Sequence, residues 1–195
     1  MRRVGIVTDG TSDITPECAS AFGIEVVPLT VTIGEETFQD RVLTQTDFFE
    51  HMNAAPSLPT TSLPSVGVFA EAYRSQLEQF SEAVAVHISS ALSGTIEAAR
   101  EAAKEFGGRV KVFDTRNLSW GEVLQAIEAA KAAASGTHRR ATFSIMHAMS
   151  PDKVAWLDEQ LRATYEVEDM YHVEAGAVIC AHTGTGWGVA LLPVD

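Results

Sequence analysis

Val4-Gly5-Ile6-Val7-Thr8-Asp9-Gly10-Thr11-Ser12-Asp13 is the stretch whose reading decides the fold. Val4 to Thr8 is a short, largely apolar run that ends abruptly in polar, turn-forming residues. A run of that length without regular polar alternation reads as a buried strand, and Asp9 to Asp13 as a loop at its C-terminal end. Thr15-Pro16-Glu17 then sets a capping hydroxyl before a proline at the first helical position, and Gly23 stops the short helix. Glu25 to Ile33 is β-branched and apolar and reads as a second strand. A strand, a helix and a strand in this order open a parallel α/β sheet.

The pattern continues outward from there. Gly34-Glu35 reads as a tight turn, and Thr44-Gln45-Thr46-Asp47 as a capping box with Asp in place of Glu, opening a helix to about Met52. Pro56, Pro59 and Pro64 exclude a central strand or helix between Ala55 and Ser65. Ser65 caps a helix whose core stripe is Phe69, Tyr73, Leu77 and Phe80. Ala83 to Ile88 is a strand running into Ser89–Thr95, followed by an Ala-rich helix to Phe106 that Gly107-Gly108 ends. Val110 to Phe113 is a strand, Asp114 to Ser119 a loop, and Glu122 to Ala134 a helix that stops near Gly136. In the last third, Thr142 to His147 and Val167 to Val173 read as strands and Pro151 to Ala163 as a helix. Ala177 to Ala181 and Gly188 to Leu192 read as strands flanking the loop His182–Trp187. The expected fold is α/β, a mostly parallel sheet with flanking helices plus a smaller C-terminal α/β part. The expected boundary lies at Thr137, giving domains over residues 1–137 and 138–195.

Composition narrows the function. Hydrophobic residues make up 46% of 195, enough for a packed core. The formal net charge is −12. An acidic chain repels phosphate backbones and anionic membranes, so nucleic acid is not an expected partner. The densest basic run is only His138, Arg139 and Arg140. Cys18 and Cys180 lie far apart and read as buried thiols, with no zinc spacing and so no expected metal. No apolar run is long enough to span a bilayer, and the N-terminus turns polar too soon for a signal peptide, so a cytoplasmic location is expected.

Three polar loops adjoin apolar strands or precede helices: Thr60–Ser65, Ser89–Thr95 and His182–Gly186. Loops at the carboxyl ends of parallel strands line the ligand crevice. Hydroxyls and open backbone N–H groups before a helix favour a small anion, or they simply cap the helix. None of the three loops carries Lys or Arg, which suits one carboxylate better than a chain of phosphates. A Ser/His hydrolase on Ser93 and His182 is the enzymatic alternative, although Ala91-Leu92-Ser93-Gly94-Thr95 is no G-x-S-x-G elbow. Thr11 stands where a D-x-D phosphatase needs its second carboxylate. Gly184 and Gly186 are too short a motif for a dinucleotide or P-loop site, and no cofactor is expected.

Six segments, in order, resemble the DegV family: Val7–Asp13, Val26–Leu29, Thr60–Ser65, His87–Thr95, Asp114–Gly121 and Ala181–Gly186. The resemblance implies a long-chain fatty acid as ligand, and a role as carrier subunit presenting the acyl carboxylate to a separate kinase subunit. It implies that Thr61 and Ser93 hydrogen-bond the carboxylate, with Ser62 and Gly94 beside them and His182 near the same head group. It implies no catalytic residue in this chain. The sequence departs from the family pattern between about Thr137 and Ala141, where part of the second domain is missing. Leu63 replaces the usual Gln, and the family's head-group Arg has no counterpart. A shortened second domain is expected to expose apolar surface and favour self-association, and a ligand-free interaction module is the remaining alternative.

Overall fold

The computed structural model describes residues 4–135, 141–148, 151, 154–155, 158–159, 162, 167–183 and 186–192. It divides into two compact units, Met1–Pro28 with Leu63–Thr137, and Leu29–Ser62 with His138–Asp195. The expected contiguous division is corrected in one respect: Leu29–Ser62 leaves the first unit and groups with the C-terminal part. Pro28 supplies the reason. It has no N–H to continue a strand ladder, so the run from Ile24 breaks there.

The first unit is a four-stranded parallel sheet in the order β2-β1-β6-β7. Its strands are Val4–Asp9 (β1), Ile24–Val27 (β2), Glu82–His87 (β6) and Val110–Asp114 (β7). β1 pairs with β2 from Ile6↔Ile24 to Asp9↔Val27 and with β6 from Val4↔Glu82 to Val7↔Ala85. Helices Pro16–Phe22 (α1) and Trp120–Ser135 (α5) pack together, as do Val66–Gln79 (α3) and Thr95–Ala103 (α4). The caps follow the sequence. Thr15 Oγ1 accepts the Cys18 N–H at 3.2 Å, and Gly23 closes α1 in the left-handed region at φ 59°. Ser65 Oγ accepts the Val68 N–H at 3.4 Å.

Phe69 and Tyr73 of the expected α3 stripe are fully buried, and they join Val7, Val27, Ala85, Ala99 and Phe106 in one core. On α5, Val123, Leu124 and Ile127 are buried as well. The crossover after β1 leads to α1, which packs with α5. The crossover after β6 leads to α4, which packs with α3. Neighbouring strands whose crossovers diverge in this way mark the topological switch point of an open α/β sheet. The polar residues at the carboxyl ends of β1 and β6 therefore stand where such folds gather ligand-handling groups.

The second unit holds two smaller sheets. One has the order β4-β3-β5, with Thr30–Ile33 (β3), Glu36–Gln39 (β4) and Thr60–Ser62 (β5). The segment expected to be one strand, Glu25 to Ile33, is thus two strands in two sheets. β3 and β4 form an antiparallel hairpin across Gly34, whose φ of 61° favours glycine. β4 is absent from the sequence reading because its side chains are largely exposed and show no apolar face. β5 is an edge strand between Pro59 and Pro64, a position prolines permit.

The other sheet has the order β10-β8-β9: Ala141–Ala148 (β8), Val167–Glu174 (β9) and Gly186–Leu192 (β10). β8 pairs antiparallel with β10 and parallel with β9. Helix Gln45–Ala54 (α2) starts at Thr44 as expected, with Thr44 Oγ1 accepting the Asp47 N–H at 3.1 Å. The strand expected over Ala177–Ala181 is instead helix Ala177–Thr183 (α6). Ala177, Val178, Ile179 and Cys180 are all buried, and a short apolar run buried all round has no periodicity that separates strand from helix. The helix expected over Pro151–Ala163 lies largely outside the described residues. Cys180 is buried and Cys18 half-buried, and neither forms a disulfide. Among the described residues no helix is long and apolar enough to cross a membrane.

Candidate functional site

The residues expected to hold a ligand are divided between the units. Thr61 and Ser62 lie on β5, and His182 in the last turn of α6, all in the second unit. Thr61 Oγ1 and His182 Nε2 are 3.1 Å apart, across 121 positions of sequence. His182 is exposed, Thr61 half-buried and Ser62 exposed. A paired hydroxyl and imidazole that both reach solvent can turn a donor toward an anion. A pocket of about 190 Å³ in this unit is lined by other residues, among them Arg41, Gln45, Phe48, Gly176 and Cys180.

Ser93 and Gly94 belong to the first unit, at the start of α4. Ser93 Oγ lies 2.8 Å from Thr95 Oγ1 and accepts the Thr95 N–H at 3.2 Å. Gly94 is the N-cap residue and has no side chain of its own, so the Ser93 hydroxyl is what meets the first N–H of α4. Leu63 packs against it: a Cβ added at Gly94 would meet Leu63 Cδ2 at 3.5 Å. Leu63 is 48% and Leu92 63% exposed, so apolar side chains in contact with water flank a hydroxyl and a helix N-terminus. That combination of greasy surface and neutral donors is the chemistry of an amphiphile's head group. The hydrogen bond of His182 goes to Thr61 and those of Ser93 go to Thr95.

Behind this turn lies a buried polar cluster that the sequence reading passed over. Asp9, His87, Glu122 and Thr8 are completely buried, and Thr11 nearly so. Asp9 accepts four bonds: Thr11 N–H at 3.0 Å and Thr11 Oγ1 at 2.5 Å on one oxygen, His87 Nδ1 at 2.9 Å and Ile88 N–H at 3.3 Å on the other. Glu122 accepts Thr8 Oγ1 at 2.8 Å, and its second oxygen is 3.2 Å from a Thr11 hydroxyl already shared with Asp9. The donors thus converge on Asp9. Burial acts to raise its pKa, but the hydrogen bond and charge of His87 and the bonds from Thr11 outweigh it and hold the carboxyl below its ordinary value. Glu122 goes the other way. Burial first, then the charge of Asp9, push it well above the ordinary range, and the bonds from Thr8 and Thr11 offset only part of that.

The two carboxyls are thus pushed in opposite directions, Asp9 toward its ionised form and Glu122 toward its neutral one. Tyr73 extends the chain, with its hydroxyl 3.4 Å from His87 Nε2 and donating to the Ala99 carbonyl at 3.3 Å. Burial and then the Asp9 charge push its phenol upward. Asp9, His87 and Glu122 each offer one ligand atom within 4.8 Å of the others, a spacing a divalent ion could use, but four donors already surround Asp9. The only sequence signal for the cluster is polar residues at the ends of β1 and β6, since Glu122 sits inside an amphipathic helix pattern where a Glu reads as solvent-facing.

The model of the DegV family, described as an uncharacterised protein family, matches residues 3–144. The chain belongs to the DegV family. A DegV domain-containing protein of Deinococcus radiodurans is 45% identical over 134 residues, which are 68% of this chain and 48% of that protein. The chain spans about half the length of the curated DegV relatives it matches. Among solved structures, a DegV family protein from Thermus thermophilus described by its fatty acid binding aligns with a TM-score of 0.91 at 24% identity, over 98% of this chain and 100% of that one. DegV from Bacillus subtilis, described as a fatty acid binding protein, aligns with a TM-score of 0.88 at 20% identity, over the whole of both chains. The DegV fold is thus that of this chain, and its parallel sheet flanked by helices is the α/β architecture expected from sequence.

Proposed function

We propose that this DegV protein binds a long-chain fatty acid and performs no chemistry of its own on it. The observation that carries the reading is the grouping at the start of α4: Ser93, the Gly94 N-cap without a side chain, and the exposed Leu63 and Leu92 beside them. In the second unit, Thr61 and His182 pair with each other beside Ser62. The likeness to DegV proteins described as binding fatty acids supports the same ligand.

The energetics favour a tail-dominated interaction. Burying a chain of ~15 methylenes at ~0.8 kcal/mol each gains roughly 12 kcal/mol. Association costs take back roughly 4–15 kcal/mol of it. Each charge-assisted bond to the carboxylate adds about 1.5–3 kcal/mol. The apolar tail supplies most of the affinity, lying in an apolar tunnel, and the hydroxyls fix which end of the ligand sits where. Donors of this kind leave the carboxylate oxygens chemically intact, as a carrier requires if a separate kinase subunit is to phosphorylate the bound acid.

Mass spectrometry of the denatured protein tests the reading. A stoichiometric acyl chain is expected to co-purify, and Ser93→Ala is expected to weaken acid binding by about tenfold or more, the loss of one charge-assisted bond. A protein that carries no acyl chain and takes up none from solution is not a fatty acid carrier.

A further inference from the structure

The Asp9 cluster has no part in packing that a hydrocarbon could not perform more cheaply, since a buried charge is costly unless its donors are fixed. Its placement suggests what it is for. His87 is the last residue of β6, and Ile88 and Ser89 lead directly into the turn that ends at Ser93 and Gly94. One Asp9 oxygen holds both the His87 ring and the Ile88 N–H. The next residue, Ser89, donates its N–H to the Asn117 carbonyl at 2.9 Å, and its own carbonyl accepts the N–H groups of Leu92 at 2.9 Å and Ser93 at 3.1 Å. The Ser89 hydroxyl accepts the Ala91 N–H at 3.2 Å. Ser93 is therefore placed by a turn hung on Ser89, and Ser89 is placed by the residue that Asp9 grips. From the other side, the Thr115 hydroxyl and N–H both donate to the His87 carbonyl, at 2.8 and 3.1 Å.

We propose that Asp9 is a positioning residue for acid capture: its buried carboxylate, bonded to the His87 ring and the Ile88 N–H, holds the turn that presents Ser93 to the ligand's carboxylate. The inference rests on the fatty acid reading above. An ionised carboxylate is the group that suits the place, because four donors converge on its two oxygens. An asparagine of the same shape would turn an N–H₂ toward at least one of those donors and release it.

The test compares two ligands that differ only at the head, palmitate and hexadecanol, on the full chain and its Asp9→Asn variant. Affinities are read by displacement of a fluorescent fatty acid. Loss of general packing weakens both ligands alike, whereas a displaced Ser93 turn weakens the acid alone. About a tenfold loss for palmitate is expected, with hexadecanol changed less than about twofold. Equal losses for both ligands, or none for either, overturn the inference. Should Asp9→Asn fail to fold, His87→Gln keeps the charge and removes the Nδ1 donor, and the same acid-selective loss is required of it.

If the parent protein binds neither ligand, or binds both equally, the head-group reading itself has failed. Amide hydrogen exchange on the ligand-free protein then decides the positioning role alone. Asp9→Asn, or His87→Gln in its place, must speed exchange from Ile88 to Ser93 relative to Ala83–Ala85 of the same strand, and an unchanged ratio refutes it.

Discussion

Glu122→Gln isolates the charge state of the buried cluster. Glutamine has the shape of a protonated glutamic acid, so it retains the bond from Thr8 to its carbonyl oxygen and can donate toward Thr11 or Asp9 as the neutral acid does. If Glu122 is neutral in the folded protein, the exchange costs little in mild acid, under about 1.5 kcal/mol, which is one ordinary hydrogen bond. The consequence for pH follows from proton counting. Above its unfolded value of 4.5 the glutamate ionises in the unfolded chain, while the folded chain keeps its proton because burial and Asp9 hold the pKa up. The folded state then binds more protons, so stability falls as pH rises from 4.5 to the raised folded value, at up to about 1.4 kcal/mol per pH unit. The stability this group provides is complete below 4.5 and lost by the time the folded value is passed.

Urea denaturation across a pH series, run on parent and variant, reads the difference directly. The variant is expected to lack the parent's decline, so that the two curves meet in mild acid and separate in favour of Gln as pH rises. Parallel curves, or a variant destabilised by more than about 3 kcal/mol at neutral pH, show that Glu122 is ionised in the fold and refute the assignment.

Asp9→Asn is expected to cost about 3–5 kcal/mol by breaking a buried charge from its donors, and to remove the acid limb of the same profile. In the parent, stability from Asp9 is present above 3.8 and lost as pH falls through its lowered folded value, again measurable by urea titration. Gly94→Asp should leave the melting temperature unchanged or slightly raised, since Asp is a good N-cap and no backbone clash awaits its Cβ, yet it should abolish fatty acid binding by setting a negative charge at the head group. Retained binding in that variant would place the carboxylate elsewhere. Phe69→Ala should cost about 3–5 kcal/mol in chemical denaturation, because the ring is fully buried against Tyr73 and His87. His182→Ala should weaken acid binding by about tenfold or more without changing the melting temperature, an exposed residue carrying little of the fold.

Much of the first unit was legible because its signals are local. The apolar run of β1, Thr15 with Pro16, Gly23, Ser65 and the Phe69–Tyr73 stripe each specify their own conformation through sterics, capping or periodicity, and each stands where the sequence places it. The candidate residues Thr61, Ser62, Ser93, Gly94 and His182 stand in polar loops beside apolar strands, and their roles are what the family resemblance implies. Their placement adds the Thr61–His182 pairing and the exposed leucines beside Gly94.

Sequence alone determined that strands and helices alternate here, because hydrophobic period and end-capping are properties of neighbouring residues. Only the tertiary structure decided which sheet each strand enters, as when Pro28 parts Ile24–Val27 from Thr30–Ile33 and when Ala177–Thr183 coils rather than extends. The same holds for Glu122. Nothing next to it in the chain marks its pKa as raised, since that is set by burial and by Asp9, a residue more than a hundred positions away whose field acts only once the two are folded side by side.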